Sequence, residues 1–64
     1  MKYEATFHND EYNMTSVVFL SQHKTGGFGV GLRDDDSGLM VGMTIHGIKT
    51  IALAIETAKH LVNN

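Results

Sequence analysis

The chain has 64 residues, a net charge of −2 and 42% hydrophobic residues, and it contains no cysteine and no proline. This length suits a single domain, residues 1–64, which would bury only about 60% of the surface that its unfolded form exposes. Because cysteine is absent, disulfides and thiolate metal sites are excluded, and oligomerisation is the expected source of extra stability. The five Lys and Arg residues are dispersed, which argues against nucleic acid as a partner.

The sequence shows no targeting or membrane signal. No apolar run approaches the ~20 residues of a membrane span, and Met1-Lys2 leads into a strand pattern without a signal-peptide core. We therefore expect a cytoplasmic protein with no membrane partner.

Two strands are predicted in the first third of the chain. Lys2–His8 alternates apolar with polar residues, which indicates a half-buried strand with one solvated face. Residues 9–13 are polar turn formers. Met14–Ser21 is rich in β-branched and aromatic residues and is apolar on both faces at its centre, which predicts a strand inside the sheet.

After a predicted loop, Gln22–Gly26, the third strand is expected at Gly27–Arg33. Three glycines lie on one face of it: Gly27, Gly29 and Gly31. Because glycine weakens a strand interior, this glycine stripe indicates that another group approaches the backbone closely. Two interpretations stay open. The stripe is either a groove for the chain's own helix or a neighbouring subunit, or the floor of a ligand or partner site.

A hairpin turn is predicted at residues 34–38, where Gly38 suits the left-handed position. The turn carries three consecutive carboxylates: Asp34, Asp35 and Asp36. They do not fit a helix–loop–helix calcium loop, which ends on a glutamate. Together with the acidic residues of the 9–13 turn, they are expected to present a negative surface to a basic partner.

The last predicted elements are a short fourth strand, Leu39–Met43, and a helix, Thr44–Val62. Thr44 suits the N-cap, and Met43 is placed to pack on Ile48 in the first turn. At ~100° per residue the apolar residues of this helix cover an arc of roughly 200°, about twice what one sheet requires.

This wide arc predicts that part of the helix contacts a second subunit. The residues expected at this oligomer interface are Ile51, Ala54, Ile55, Ala58 and Leu61. Leu53 lies on the opposite, polar face, where a single apolar side chain would suit a docking partner.

Four strands in hairpin order followed by one helix predict an α+β fold. We expect a small antiparallel meander of three to four strands with the C-terminal helix on one face, in the order ββββα.

The opening MKYEATFHNDE is similar to the start of HicB-type antitoxins. In that family a Gly-x-Thr pair also leads into an Ala-rich helix, as Gly42-Met43-Thr44 is predicted to do here. The chain differs from the family by the inserted GGFGVGLRDDDSGLM and by lacking a proline-containing turn after the second strand. The resemblance implies a toxin as the partner.

The sequence contains no recognisable catalytic or cofactor motif. The serines lack a nucleophile-elbow context, no cysteine nucleophile exists, and the four histidines are too scattered for a zinc site. We therefore expect no enzymatic activity, no cofactor and no metal.

The leading hypothesis is a small homo-oligomeric binding protein that regulates or inhibits another macromolecule, of the kind that phages and mobile elements encode. The alternatives are a small-molecule or nucleotide-binding protein with its site at a subunit interface, or an antitoxin-like protein.

Overall fold

The computed structural model describes residues 2–22 and 26–63. The predicted loop Gln22–Gly26 therefore lies largely outside the described residues. The elements are four strands and one helix: β1 (Tyr3–Asn9), β2 (Met14–Leu20), β3 (Phe28–Asp34), β4 (Leu39–Ile48) and α1 (Ile51–Asn63). All neighbouring strands pair antiparallel in the order β1-β2-β3-β4, and α1 packs on one face of this sheet. The predicted ββββα fold is confirmed.

β2 lies inside the sheet, as its composition predicts. Val17 and Val18 are both fully buried although they point to opposite faces, so each face of the sheet has a cover. Along β1, by contrast, half-buried and exposed residues alternate, because one face of this edge strand meets solvent.

The main core lies between the sheet and α1. Val18, Val30 and Ile48 from three strands contact Ala54 and Ala58 of the helix. The two alanines are spaced four residues apart and therefore lie on the same side of α1. Their small side chains allow the helix axis to come close to the sheet.

β4 is five residues longer than predicted, and the prediction of a helix from Thr44 is wrong. Ile45 pairs with Val30 and Ile48 with Phe28, so this stretch belongs to the sheet. Its β-branched residues suit a strand, and Gly47 adopts a φ of +78° that is incompatible with a helix. Met43 is 90% exposed and forms no staple on the helix.

The helix begins after Thr50, which acts as its N-cap. The Leu53 backbone N–H donates to Thr50 Oγ1 at 3.2 Å, and the Ala54 N–H donates to the Thr50 carbonyl at 3.1 Å. Thr50 thus provides the capping group that the sequence pattern assigned to Thr44.

The shorter helix has a narrower apolar arc. Two of the residues that widened the predicted arc, Ile45 and Ile48, belong to β4. The buried and half-buried apolar residues that remain on α1 cover only about 120°, which one sheet can bury. Most of the exposed large apolar side chains of the described residues lie on β4 and not on α1.

Candidate interaction surface

β4 is an edge strand that the helix leaves largely uncovered, since only Ile48, its last residue, is buried in the core with α1. α1 packs mainly on β1, β2 and β3 and contacts β4 least. Val41 and Ile45, which pair with Leu32 and Val30 on the helix side of the sheet, therefore remain exposed. The sheet is one strand wider than its helix can cover.

Five apolar side chains of β4 form what we call the β4 apolar surface: Leu39, Met40, Val41, Met43 and Ile45. Their exposed fractions range from 36% at Val41 to 90% at Met43. Together they expose on the order of 500 Å². This area is shared between the two faces of the strand, because Val41 and Ile45 point to the helix side whereas Met40 lies over Gly31 on the other face. β4 contains no Asp, Glu, Lys or Arg. That ten-residue stretch without Asp, Glu, Lys or Arg is the sequence signal for this surface. The signal was missed because the second half of the stretch was predicted to be helical.

β4 is irregular where it pairs with β3. The register shifts twice, between the partners of Leu32 and Val30 and between those of Val30 and Phe28. Gly42, with a φ of +68°, lies in the first irregularity beside Met43. Such bulges bend a strand and interrupt its row of outer hydrogen-bonding groups. A partner would therefore contact the side chains of this surface and would not extend the sheet by regular backbone pairing with β4.

The chain's own side chains cover the glycine stripe. A Cβ added at Gly29 would lie 2.5 Å from the Phe19 ring, and one added at Gly31 would collide with the Met40 methyl group. Phe19 in turn makes an edge-to-face contact with His46 at 5.9 Å. Phe19 and Met40 thus form a thin second layer on the face away from α1. The interpretation of the stripe as a groove for the chain's own helix is therefore wrong, because side chains of β2 and β4 cover Gly29 and Gly31.

Gly27 serves a different purpose. Its φ is +78°, and a Cβ there would lie 2.6 Å from the Ile48 carbonyl oxygen. Only glycine avoids both the strain and the collision at this end of the β3–β4 pair.

The two acidic turns lie at the same end of the sheet. Asn13 Nδ2 donates to Asp36 Oδ1 at 2.8 Å, and the Asp35 N–H donates to the Asn13 carbonyl at 3.0 Å. The meander thereby gathers five of the seven acidic residues at one end: Asp10, Glu11, Asp34, Asp35 and Asp36.

Asp35 is held by its own neighbours and is not presented to a partner. Thr15 Oγ1 donates to Asp35 Oδ2 at 2.5 Å, and Arg33 Nε donates to Oδ1 at 2.8 Å. These hydrogen bonds, that of Thr15 first, hold the pKa of Asp35 below its usual value. His8 Nδ1 lies 3.0 Å from the same carboxylate, and His8 Nε2 lies 3.0 Å from Asp10. Asp10, Glu11 and Asp36 are the exposed acidic residues of this end.

The residues predicted at a helical oligomer interface divide into two groups. Ala54 and Ala58 are fully buried against the chain's own sheet, and Ile55 and Leu61 are half-buried. Ile51, in the first turn, is 40% exposed. The chain itself thus buries the centre of the predicted interface.

Leu53 is 57% exposed. It lies near the start of α1, whereas Asn9, at the acidic end, binds the last turn of the helix. Leu53 and the acidic turns are therefore at opposite ends of the domain and do not form one site.

Asn9 is a structural residue that the sequence analysis missed. Its Nδ2 donates to the Val62 carbonyl at 2.8 Å, and its Oδ1 accepts the Glu11 N–H at 2.9 Å. The same region places Lys59 Nζ 5.6 Å from the centre of the Phe7 ring, a cation–π contact. An isolated Asn in a polar turn carries no sequence signal for such a long-range role.

A small cleft opens near this end of α1. It has a volume of about 270 Å³ and is lined by Tyr12, Met14, Leu32, Leu61 and Val62. The lining is mostly apolar, and the volume is slightly below the range usual for sites that enclose a whole small molecule.

Within residues 2–22 and 26–63, no group of three or more His, Asp and Glu side chains is placed to hold a metal ion. Over the same residues, no helix has the length and hydrophobicity to cross a bilayer.

Comparison of the chain with protein-family models, curated proteins and solved structures found no match. The similarity of the opening strand to HicB-type antitoxins remains a resemblance.

Proposed function

We propose that this protein is a small, non-enzymatic, cytoplasmic binding protein that forms a homo-oligomer and acts as a regulator or inhibitor by occupying the surface of another macromolecule. The observation that carries the proposal is the concentration of exposed apolar side chains. Among the residues that the structure describes, nine large apolar side chains are exposed, and seven of them belong to β4 or the first turn of α1.

The distribution of these side chains supports two separate contacts. The β4 apolar surface lies on the edge of the sheet, while Leu53 points away from the sheet on the outer side of α1. An apolar centre with a polar rim is the usual anatomy of a protein interface. Leu53 has such a rim, because Glu56 and Thr57 lie within one helical turn of it.

Photo-crosslinking in cells tests the proposal. A photoreactive residue replaces Leu53 in one variant and Met43 in another, and Glu4 on the solvated face of β1 is the control position. We expect position 53 to give a discrete adduct with one other macromolecule and position 43 to give an adduct of the chain with itself. If both positions yield no more adduct than position 4, the proposal is contradicted.

A second candidate function, small-ligand binding, is favoured by the cleft beside Leu61. Its apolar lining suits a small hydrophobic group such as a short acyl or aromatic moiety. Leu32→Trp would fill the cleft. Ligand binding in the wild-type protein, detected by native mass spectrometry and lost in this variant, would support this candidate. An unliganded wild-type spectrum after gentle purification would count against it.

A further inference from the structure

We propose that a second copy of this chain covers the β4 apolar surface, and that a two-fold axis passing near Met43 relates the two copies. The inference rests on the self-association in the proposed function and moves the self-interface from α1 to β4. Each copy would use the same patch, as in most homodimers.

The charge of β4 favours its own copy as the occupant. Residues close to a two-fold axis lie near their own equivalents, so like charges in the middle of the strand would repel each other. Between Leu39 and Ile48 there is no Asp, Glu, Lys or Arg. The opposite edge strand, β1, carries Glu4 and the His8–Asp10 pair and is less suited to such a contact.

The two ends of β4 carry opposite charges. The acidic turn with Asp36 precedes the strand, and Lys49 follows it directly. A two-fold axis near Met43 makes the two strands run in opposite directions, so Asp36 of one copy comes near Lys49 of the other. Both residues are exposed in the single chain, and the contact forms twice. Complementary charges of this kind fix the register of an interface.

The size of the surface agrees with a dimer. The five side chains supply on the order of 500 Å² of apolar area around both faces of the sheet edge, against the ~800 Å² of total surface that each partner buries in a standard interface. Polar surface around the two strand ends would form the remaining rim. Because the bulges interrupt the outer hydrogen bonds of β4, side-chain packing is the expected contact, with Met43 at the centre.

Sedimentation equilibrium on the purified chain tests the inference. We expect a dimer for the wild-type protein and at least a 100-fold weaker association for Met43→Glu, because two carboxylates would be buried face to face. The matched control is Leu20→Glu at an exposed apolar position on β2, which should change the dissociation constant less than threefold. Circular dichroism establishes that both variants keep the fold.

A charge exchange tests the arrangement of the two copies. Asp36→Lys and Lys49→Asp should each weaken the dimer about tenfold, since each reversal creates two repulsive contacts. The double variant should return to within about threefold of the wild-type constant. If the double variant dimerises about as tightly as wild type, the two-fold arrangement is supported. If it dimerises no more tightly than the single variants, the arrangement is overturned.

A wild-type chain that is monomeric at millimolar concentration, or a Met43→Glu chain that still dimerises, overturns the inference. A monomeric wild-type chain would also remove the homo-oligomer from the proposed function, whereas a Met43→Glu chain that still dimerises overturns only this inference. Neither result affects the adduct expected at position 53 with another macromolecule.

Discussion

At the scale of single residues, the acidic turn combines side chains with different roles. Asp35 accepts hydrogen bonds from Thr15 and Arg33, whereas Asp36 is exposed. The hydrogen bond that Arg33 donates to Asp35 is also the largest cause of the raised pKa of Arg33. The three consecutive aspartates could be located from the sequence, but their division into structural and exposed groups could not, because it depends on partners that are distant in the chain, such as His8, Asn13 and Thr15.

Because of Asp35, the free energy of unfolding should fall as the pH is lowered in the acid range. Its pKa is lower in the folded chain than its ordinary value of 3.8, so its contribution is fully present above that value and is lost as the pH falls through the folded pKa. Urea denaturation at a series of pH values should show Asp35→Asn less stable than wild type at pH 7, with the difference shrinking below about pH 4. Glu4→Gln, at an exposed position, is the control. A difference that stays constant down to pH 2 would contradict the assignment.

Gly29 and Gly31 should respond differently to a methyl group. At Gly29 the new Cβ would meet the rigid Phe19 ring, whereas at Gly31 it would meet the flexible end of Met40. We expect Gly29→Ala to cost about 1–3 kcal/mol of unfolding free energy and Gly31→Ala less than about 1 kcal/mol. Chemical denaturation of the two variants and of wild type measures both losses of unfolding free energy. Equal losses would show that the two glycines do not have the separate covers described above.

At the scale of elements, the sequence patterns identified every strand, and the bounds of β1, β2 and β3 agree with prediction to within one residue at each end. Alternation predicts β1 and β3, and the β-branched and aromatic composition predicts β2. The boundary between β4 and α1 was missed by seven residues. Both a helix and a bulged strand can carry the apolar spacing of Ile45 and Ile48, and only the pairing with β3 distinguishes them.

The true helix start can be tested at Thr50. Thr50→Ala removes the side-chain oxygen that accepts the Leu53 N–H and should cost about 1 kcal/mol, whereas Thr50→Ser keeps the cap and should stay within about 0.5 kcal/mol of wild type. Thermal denaturation followed by circular dichroism gives both values. A loss in Thr50→Ser as large as in Thr50→Ala would show that the hydroxyl does not act as the cap.

At the scale of the whole molecule, one helix has to cover a four-stranded sheet. α1 lies over β1, β2 and β3, and Asn9 joins its last turn to the end of β1. This tether fixes the C-terminal end of the helix on the β1 side. β4, at the far edge, is consequently left without a cover over most of its length, from Leu39 to Ile45.

Removing the tether should weaken the whole fold. Asn9→Ala leaves the half-buried Val62 carbonyl without this donor and should cost about 1–2 kcal/mol of unfolding free energy. Asn63→Ala is the matched control, because Asn63 Oδ1 lies 3.5 Å from the same Asn9 nitrogen in an exposed position. We expect the control to lose less than about 0.5 kcal/mol in urea denaturation. A larger loss in Asn63→Ala than in Asn9→Ala would contradict the role of Asn9.

The sequence by itself determined the ββββα order, the interior position of β2 and the left-handed Gly38, but it placed the excess of apolar surface on the helix. These properties depend on local periodicity, turn chemistry and composition, which involve only residues that are close together in the sequence. The tertiary structure decided where α1 begins, which side chains cover Gly29 and Gly31, and that the excess surface lies on β4. Those outcomes depend on strand pairing and on the position of the helix across the sheet. Both arise from contacts between residues that are distant in the chain, and no local pattern contains them.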